Sequence, residues 1–204
     1  MSSIILFTIL IFIILIGYIL FFQAWLPSLP KQLQESDFFY YGHRGAPDIA
    51  PENTLLSFQK SIDCNIDGLE LDVQLSQDEK MIIYHDQFID YNNQKIDIQK
   101  LKMKDIQKIN VNNKFHNLEP QFIPTLEQVI DMLPDSIILN IEIKSYAWKS
   151  SKKITKKILA LTTKKGINNQ IIISSFNPFI IKRIKKMNPS ISTAFIWWSS
   201  ESYY

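Results

Sequence analysis

Gly68-Leu69-Glu70-Leu71-Asp72-Val73 is the stretch on which the reading of the 204-residue chain turns. Side chains of an extended strand alternate between faces, so Glu70 and Asp72 share one face while Leu69, Leu71 and Val73 share the other. Two carboxylates are thus aimed at one point from a strand with an apolar back. Crowding two like charges costs free energy unless a cation lies between them, and carboxylate oxygens suit hard divalent ions such as Mg²⁺, Ca²⁺ or Mn²⁺. The same alternation also describes an ordinary strand with a wet face. Residues elsewhere must separate the two.

Upstream, Phe38-Phe39-Tyr40-Tyr41 reads as a strand running into Gly42-His43-Arg44-Gly45, a His-Arg pair between glycines that favours a tight turn. Pro51-Glu52-Asn53-Thr54 has the form of a helix start, with Asn53 or Thr54 as cap and Leu55, Leu56, Phe58 and Ile62 as an apolar stripe. Downstream, Met81 to Tyr84 is a third strand that delivers His85-Asp86 at its end. The link from Val73 to Met81 is too short for a crossover helix. It is either an extended loop or a hairpin turning at Asp78-Glu79, and the hairpin count sets His85 opposite Asp72.

Gln87 to Asn117 is polar with a short helical pattern at Met103, Ile106 and Ile109, and residues 86–124 read as an insertion between strands. Thr125-Leu126-Glu127-Gln128 has the form of a capping box for a helix that ends before Pro134. Ile137 to Ile143 is an apolar strand whose other face carries Asn140, Glu142 and Lys144. A helix with Ile154, Ile158 and Leu161 on one face ends at Gly166, and Gln170 to Ser174 is the next strand. A helix with Ile180, Ile184 and Met187 stops at Asn188-Pro189, and Thr193 to Trp198 is the sixth strand. Strands alternating with helices imply an α/β fold with a largely parallel sheet and helices outside.

Functional side chains then gather at strand ends: His43 and Arg44, Glu70 and Asp72, His85, Glu142 and Lys144. In a (β/α)₈ barrel, catalytic groups converge at the C-terminal ends of the strands. Three carboxylates suit one divalent ion with positions left for substrate. Arg44 and Lys144 offer fixed positive charge to an anion, and two histidines supply a general acid and a general base. Together these groups describe cleavage of a phosphodiester. His116 has no partner motif, and Glu52 has an ordinary place near a helix N-terminus, which leaves a site role for it open.

The ordered set Gly42-His43-Arg44-Gly45, Pro51-Glu52-Asn53-Thr54, Glu70-Leu71-Asp72, His85-Asp86, Pro124-Thr125-Leu126-Glu127 and Glu142-Ile143-Lys144 resembles the glycerophosphodiester phosphodiesterase family, from about Phe38 to Trp198. The resemblance implies a phospholipase-C-like barrel of the (β/α)₈ TIM-barrel type. It implies His43 and His85 as the acid/base pair, Glu70, Asp72 and Glu142 as ligands of Mg²⁺ or Ca²⁺, and Arg44 and Lys144 as phosphate contacts. The insertion is implied to shape a glycerol pocket, although Phe88-Ile89-Asp90-Tyr91-Asn92 departs from the Arg-Thr-Thr-like stretch common there. The implied reaction is hydrolysis of glycerophosphodiesters to sn-glycerol 3-phosphate and an alcohol, with lysophospholipid as the alternative substrate. About six strands are countable where a full barrel of ~250 residues has eight. The expectation is therefore an incomplete barrel, lacking its last two units at the C-terminus and prone to instability or inactivity.

At the N-terminus, Ile4 to Phe22 is uncharged and broken only by Thr8, Gly17 and Tyr18. That length spans a ~30 Å bilayer core as a helix. Met1-Ser2-Ser3 lacks the basic start of a signal peptide, and Gln23-Ala24-Trp25 is no cleavage site. The division is a transmembrane anchor over 1–25, a linker over 26–37 and a catalytic domain over 38–204, which makes the protein a single-pass membrane protein. Lys31, the nearest flanking cation, leans positive-inside reasoning towards a cytoplasmic domain without fixing the orientation.

The formal net charge is +2, unevenly spread: residues 32–143 hold 19 acidic and 9 basic groups, residues 144–200 hold 12 Lys/Arg and no Asp or Glu. The basic half suggests either lysines on solvent faces of helices or, as a rival function, a non-catalytic tethered domain that binds anionic lipid. No aromatic interleaving of the kind that lines a nucleic-acid groove is present, so no nucleic-acid partner is expected. The lone Cys64 forms no intramolecular disulfide and reads as a small buried hydrophobe.

Overall fold

The structure is a computed structural model that describes residues 2–19, 29–30, 33, 38–91, 93–145 and 148–197. Its centre is β2 (Gly68–Leu75), buried at every position, so that its alternation sorts chemistry between two interior faces. Leu69, Leu71, Val73 and Leu75 face a core completed by β6 (Ile138–Ile143) and β7 (Ile171–Ser175). The helices α2 (Leu55–Asp63), α4 (Leu126–Met132), α5 (Trp148–Lys165) and α6 (Pro178–Met187) cover that core with Phe58, Val129, Ile158 and Ile184 among others. The other face of β2 carries Glu70, Asp72 and Gln74.

The sheet runs β1 (Tyr41–His43), β2, β6, β7, β8 (Ser192–Phe195), all parallel, with β3 (Met81–Ile83) antiparallel on β2. The strand count of six holds, but only five are parallel members of strand-helix units. The third is the return arm of a hairpin, and its loop turns at Ser76–Lys80 with Glu79 at φ +61°. The pairing of Val73 with Ile83 sets Tyr84, not His85, opposite Asp72, and the Tyr84 N–H donates to the Asp72 carbonyl at 2.9 Å. The expected register was therefore one residue off, because the loop is one residue tighter on the β3 side than a turn centred between Asp78 and Glu79.

β1 also starts later than the aromatic run implied. The Tyr40 carbonyl accepts from the Asp67 and Gly68 N–H groups, so pairing with β2 begins only at Tyr41. At the other end, Phe195 closes β8, and Trp198 lies outside the described residues.

The described residues of 86–124 contribute no strand to the main sheet, touching it where the Pro124 carbonyl accepts from the Ile83 N–H at 2.9 Å. They form a two-stranded ribbon of β4 (Phe88–Tyr91) and β5 (Gln94–Asp97), a 3₁₀ turn at Ile98–Lys100 and the short α3 (Met103–Ile106). Ile89, Ile98, Ile106 and Ile123 make a second core with Ile82 of β3, whose neighbour Ile83 faces the first core.

At the N-terminus, α1 (Ser2–Tyr18) has 17 residues and exposes its Ile, Leu and Phe side chains on all sides. At 1.5 Å per residue it is about 26 Å long, short of a ~30 Å hydrocarbon core. Among the described residues no helix is long and apolar enough to cross a membrane. The stretch 20–25 of the expected anchor lies outside the described residues, as does most of the 26–37 linker.

Candidate active site

The site begins in the backbone of the turn after β1. Arg44 and Gly45 take positive φ of 56° and 88°, and a Cβ on Gly45 would lie 2.7 Å from the Ser57 backbone. A Cβ on Gly42 would come within 2.2 Å of Ser61 Oγ. Both glycines are therefore required for space, and Gly45 for its conformation as well. The Arg44 N–H donates to Glu70, to its carbonyl at 3.2 Å and to Oε2 at 3.1 Å, while the Arg44 carbonyl accepts from the Asn53 N–H at 2.9 Å. The turn is thereby fixed to both β2 and the start of α2, where Thr54 is the cap and accepts from the Ser57 N–H.

This scaffold gathers the predicted carboxylates. Glu70, Asp72 and Glu142 are 8%, 1% and 7% exposed, and one oxygen from each lies within 4.8 Å of the others. Register explains the closeness: Asp72 and Glu142 are directly paired on β2 and β6, and Glu70 is two residues back on the same face. Arg44 Nε lies 3.2 Å from Asp72 Oδ2, Lys144 Nζ lies 3.2 Å from Asp72 Oδ1 and 2.6 Å from Glu142 Oε1, and His43 Nε2 lies 3.8 Å from Glu70 Oε2. Six of the seven predicted residues thus meet in one cluster. The seventh, His85, lines a cavity of about 760 Å³ with Glu142, Lys144, Phe176 and Phe179, and its Nδ1 is 2.7 Å from Asp86 Oδ1.

Electrostatics mark the cluster as unfinished. Burial, with the Asp72 charge beside it, pushes the Glu70 carboxyl up to about 8. His43 is held below the usual histidine range by burial and by Arg44. Burial works against the charged form of Lys144, but Glu142 and Asp72 outweigh it and raise its pKa. Glu70 Oε1 is buried without a partner, while the buried Asp72 Oδ1 and Glu142 Oε1 share a single donor, the Lys144 ammonium. Three converging carboxylates, with Glu70 Oε1 left unmet, fit a divalent cation, since a buried carboxylate oxygen is costly unless something electropositive satisfies it.

Two contributors escaped the sequence reading, Asn53 and Asp86, and a third, Glu52, was left open by it. Asn53, at φ +57° and 2% exposed, donates from Nδ2 to Asp72 Oδ2 at 2.9 Å and so fixes which oxygen faces the cluster. Its apparent candidacy as a helix cap hid this role, though an Asn beside the true cap is a residue type that tolerates positive φ. Glu52 holds Arg44 Nη1 at 3.0 Å. Asp86 was visible only as the neighbour of His85. A second cavity of about 430 Å³ lies between Pro51, Glu52 and Asn53 on one side and Val111 and Phe115 of the insertion on the other.

A sequence profile of the glycerophosphoryl diester phosphodiesterase family matches residues 43–204. The chain belongs to the glycerophosphoryl diester phosphodiesterase family. It is 31% identical over 158 residues to a glycerophosphodiester phosphodiesterase of Caldanaerobacter subterraneus, which covers 76% of this chain and 65% of that relative. This member of the family therefore spans about two thirds of the length of that curated relative. Its fold matches a glycerophosphodiester phosphodiesterase of Thermotoga maritima with a TM-score of 0.63 and 25% identity, over 83% of this chain and 66% of that one. It also matches an Oleispira antarctica phosphodiesterase in complex with the product sn-glycerol-3-phosphate, with a TM-score of 0.68 and 23% identity, over 80% and 67%.

Proposed function

We propose that this protein is a metal-dependent hydrolase that splits glycerophosphodiesters into sn-glycerol 3-phosphate and an alcohol. The observation that carries the reading is the convergence of three buried carboxylates, Glu70, Asp72 and Glu142, with Glu70 Oε1 unmet, beside two cations and a histidine. Those three residues would hold Mg²⁺ or Ca²⁺, which when bound supplies Lewis-acid stabilisation of charge on the phosphoryl oxygens. Arg44 and Lys144 contribute fixed positive charge to the same group. His43 and His85 form the acid/base pair, one activating the nucleophile and the other protonating the departing alkoxide. The Asp86 contact at His85 Nδ1 fixes the ring and directs proton transfer to Nε2. The lowered pKa of His43 suits a base that is neutral near pH 7.

The test is release of sn-glycerol 3-phosphate from glycerophosphocholine and glycerophosphoethanolamine by the full chain. Expected are activity with Mg²⁺ or Ca²⁺, loss on chelation, and a fall of about 10²-fold or more for His43→Ala and for His85→Ala. Full activity in both histidine variants would sink the acid/base assignment.

A lysophospholipid is the second substrate reading. Phe176 and Phe179 are 47% and 46% exposed on the wall of the His85 cavity, an apolar surface suited to an acyl chain. A kcat/KM higher for lysophosphatidylcholine than for glycerophosphocholine, and lowered by Phe179→Ser, supports it. Membrane attachment belongs to this reading as well, and is supported by the exposed apolar surface of α1. Partition of the full chain, but not of a chain lacking residues 1–37, into a detergent phase tests it. The rival lipid-binding reading loses ground, because Lys153 and Lys157 pair with Glu79, and Lys164 and Lys165 with Glu127.

A further inference from the structure

We propose that Gln74 is a positioning residue that sets the place of His85 relative to the carboxylate cluster, an inference that rests on the acid/base reading of His85. Gln74 is fully buried and follows Glu70 and Asp72 at the same two-residue spacing on one face of β2. Its Nε2 lies 2.8 Å from the Tyr84 carbonyl, 3.2 Å from that of His85 and 2.9 Å from that of Asp86. Carbonyl oxygens only accept, so the amino end of the side chain must face them. Its Oε1 accepts from Gln99 Nε2 at 3.2 Å, and Gln99 is braced in turn by its own N–H on Asp97 Oδ1 at 3.0 Å.

The position of this amide explains its role. The β2–β3 ladder reaches Val73 and Ile83, and the Tyr84 N–H on the Asp72 carbonyl is its continuation. Past that point the chain leaves the strand, and three successive carbonyls converge on Gln74 instead. One strand therefore grips both halves of the chemistry: the carboxylates through its own side chains, and the histidine through the backbone that bears it. A carboxylate at 74 has no donor for three carbonyls, and an aliphatic side chain takes the shared donor from all three.

The experiment compares the full chain with Gln74→Leu and with the milder Gln99→Met, which removes only the brace. Turnover of glycerophosphocholine is measured together with Mn²⁺ affinity and with the Mn²⁺-induced broadening of the His85 ring resonances, which reads the distance from the ion to the ring. For Gln74→Leu the expectation is a kcat lower by about ten- to a hundredfold. KM and Mn²⁺ affinity are expected to stay within about twofold, and the His85 broadening to change. Gln99→Met is expected to shift the same readouts the same way by less. A kcat and a His85 broadening equal to those of the unsubstituted chain in both variants overturn the proposal. Should the unsubstituted chain bind no Mn²⁺ or turn over no glycerophosphodiester, the functional reading fails instead. Amide exchange over residues 84–86 still decides the clamp in that case: faster in Gln74→Leu supports it, unchanged overturns it.

Discussion

Glu70 couples the cluster to pH. Its ordinary value of 4.5 is raised to about 8 in the folded chain by burial and by Asp72, so the folded state prefers the neutral acid. The stability this contributes is present below about 4.5 and is lost as pH rises through about 8. Without metal, the melting temperature should fall across that window, and Glu70→Gln, which holds a neutral amide there, should flatten the fall. Binding of Mg²⁺ must displace the proton, so its affinity, read by calorimetry, should rise by up to about tenfold per pH unit until about 8. A flat affinity across that range contradicts the assignment of Glu70 as a ligand. Asn53→Ala removes the donor to Asp72 Oδ2 and should cost about 1–3 kcal/mol in denaturant unfolding. At this scale the sequence was most legible where alternation carried it, as for Glu70 and Asp72. It was least legible at Asn53, whose contribution depends on a backbone angle that no neighbouring residue type announces.

Among elements, the turn after β1 is the most constrained. Gly45→Ala meets both a φ of +88° and the Ser57 backbone, and should lower stability by about 1–3 kcal/mol or displace Arg44. Weakened metal binding beside a smaller change in melting temperature would show displacement. Helix starts were readable because caps are local: Thr54 and Thr125 bond the backbone three residues on, and the Thr125–Gln128 box closes in both directions. The pairing of β3 was not readable, since a run such as Met81 to Tyr84 has the same composition whether it lies parallel or antiparallel. Only the loop before it decides, and that loop uses a positive φ at Glu79, a residue with no special liking for it.

Across the whole molecule, β3 is the seam between two cores. Ile83 packs into the helix-covered core and Ile82 into that of the insertion. Both are fully buried, so Ile82→Ala and Ile83→Ala should each cost about 2–5 kcal/mol. Because one strand serves both cores, each variant should lower a single shared unfolding transition, monitored by tryptophan fluorescence and by far-ultraviolet circular dichroism. Two separated transitions would show that the insertion folds independently. Part of the basic half of the chain, conspicuous in composition, is used here in ion pairs: Lys153 with Glu79 and Lys165 with Asp131 tie α5 to the β2–β3 loop and to α4. Composition showed the charge, but only the three-dimensional arrangement shows its partners.

The Ser76–Lys80 loop is tied down far more heavily than its length requires. Ser76 Oγ donates to Asp78 Oδ1 and accepts from the Lys80 N–H, and Asp78 Oδ1 also accepts from the Met103 N–H. In a pleated strand, one residue more or less exchanges inside for outside. A single-codon deletion in this loop, far from any reacting atom, would exchange Ile82 for Ile83 between the two cores and send His85 to the wrong side. Drift in loop length, freely tolerated in most surface hairpins, is closed to this one.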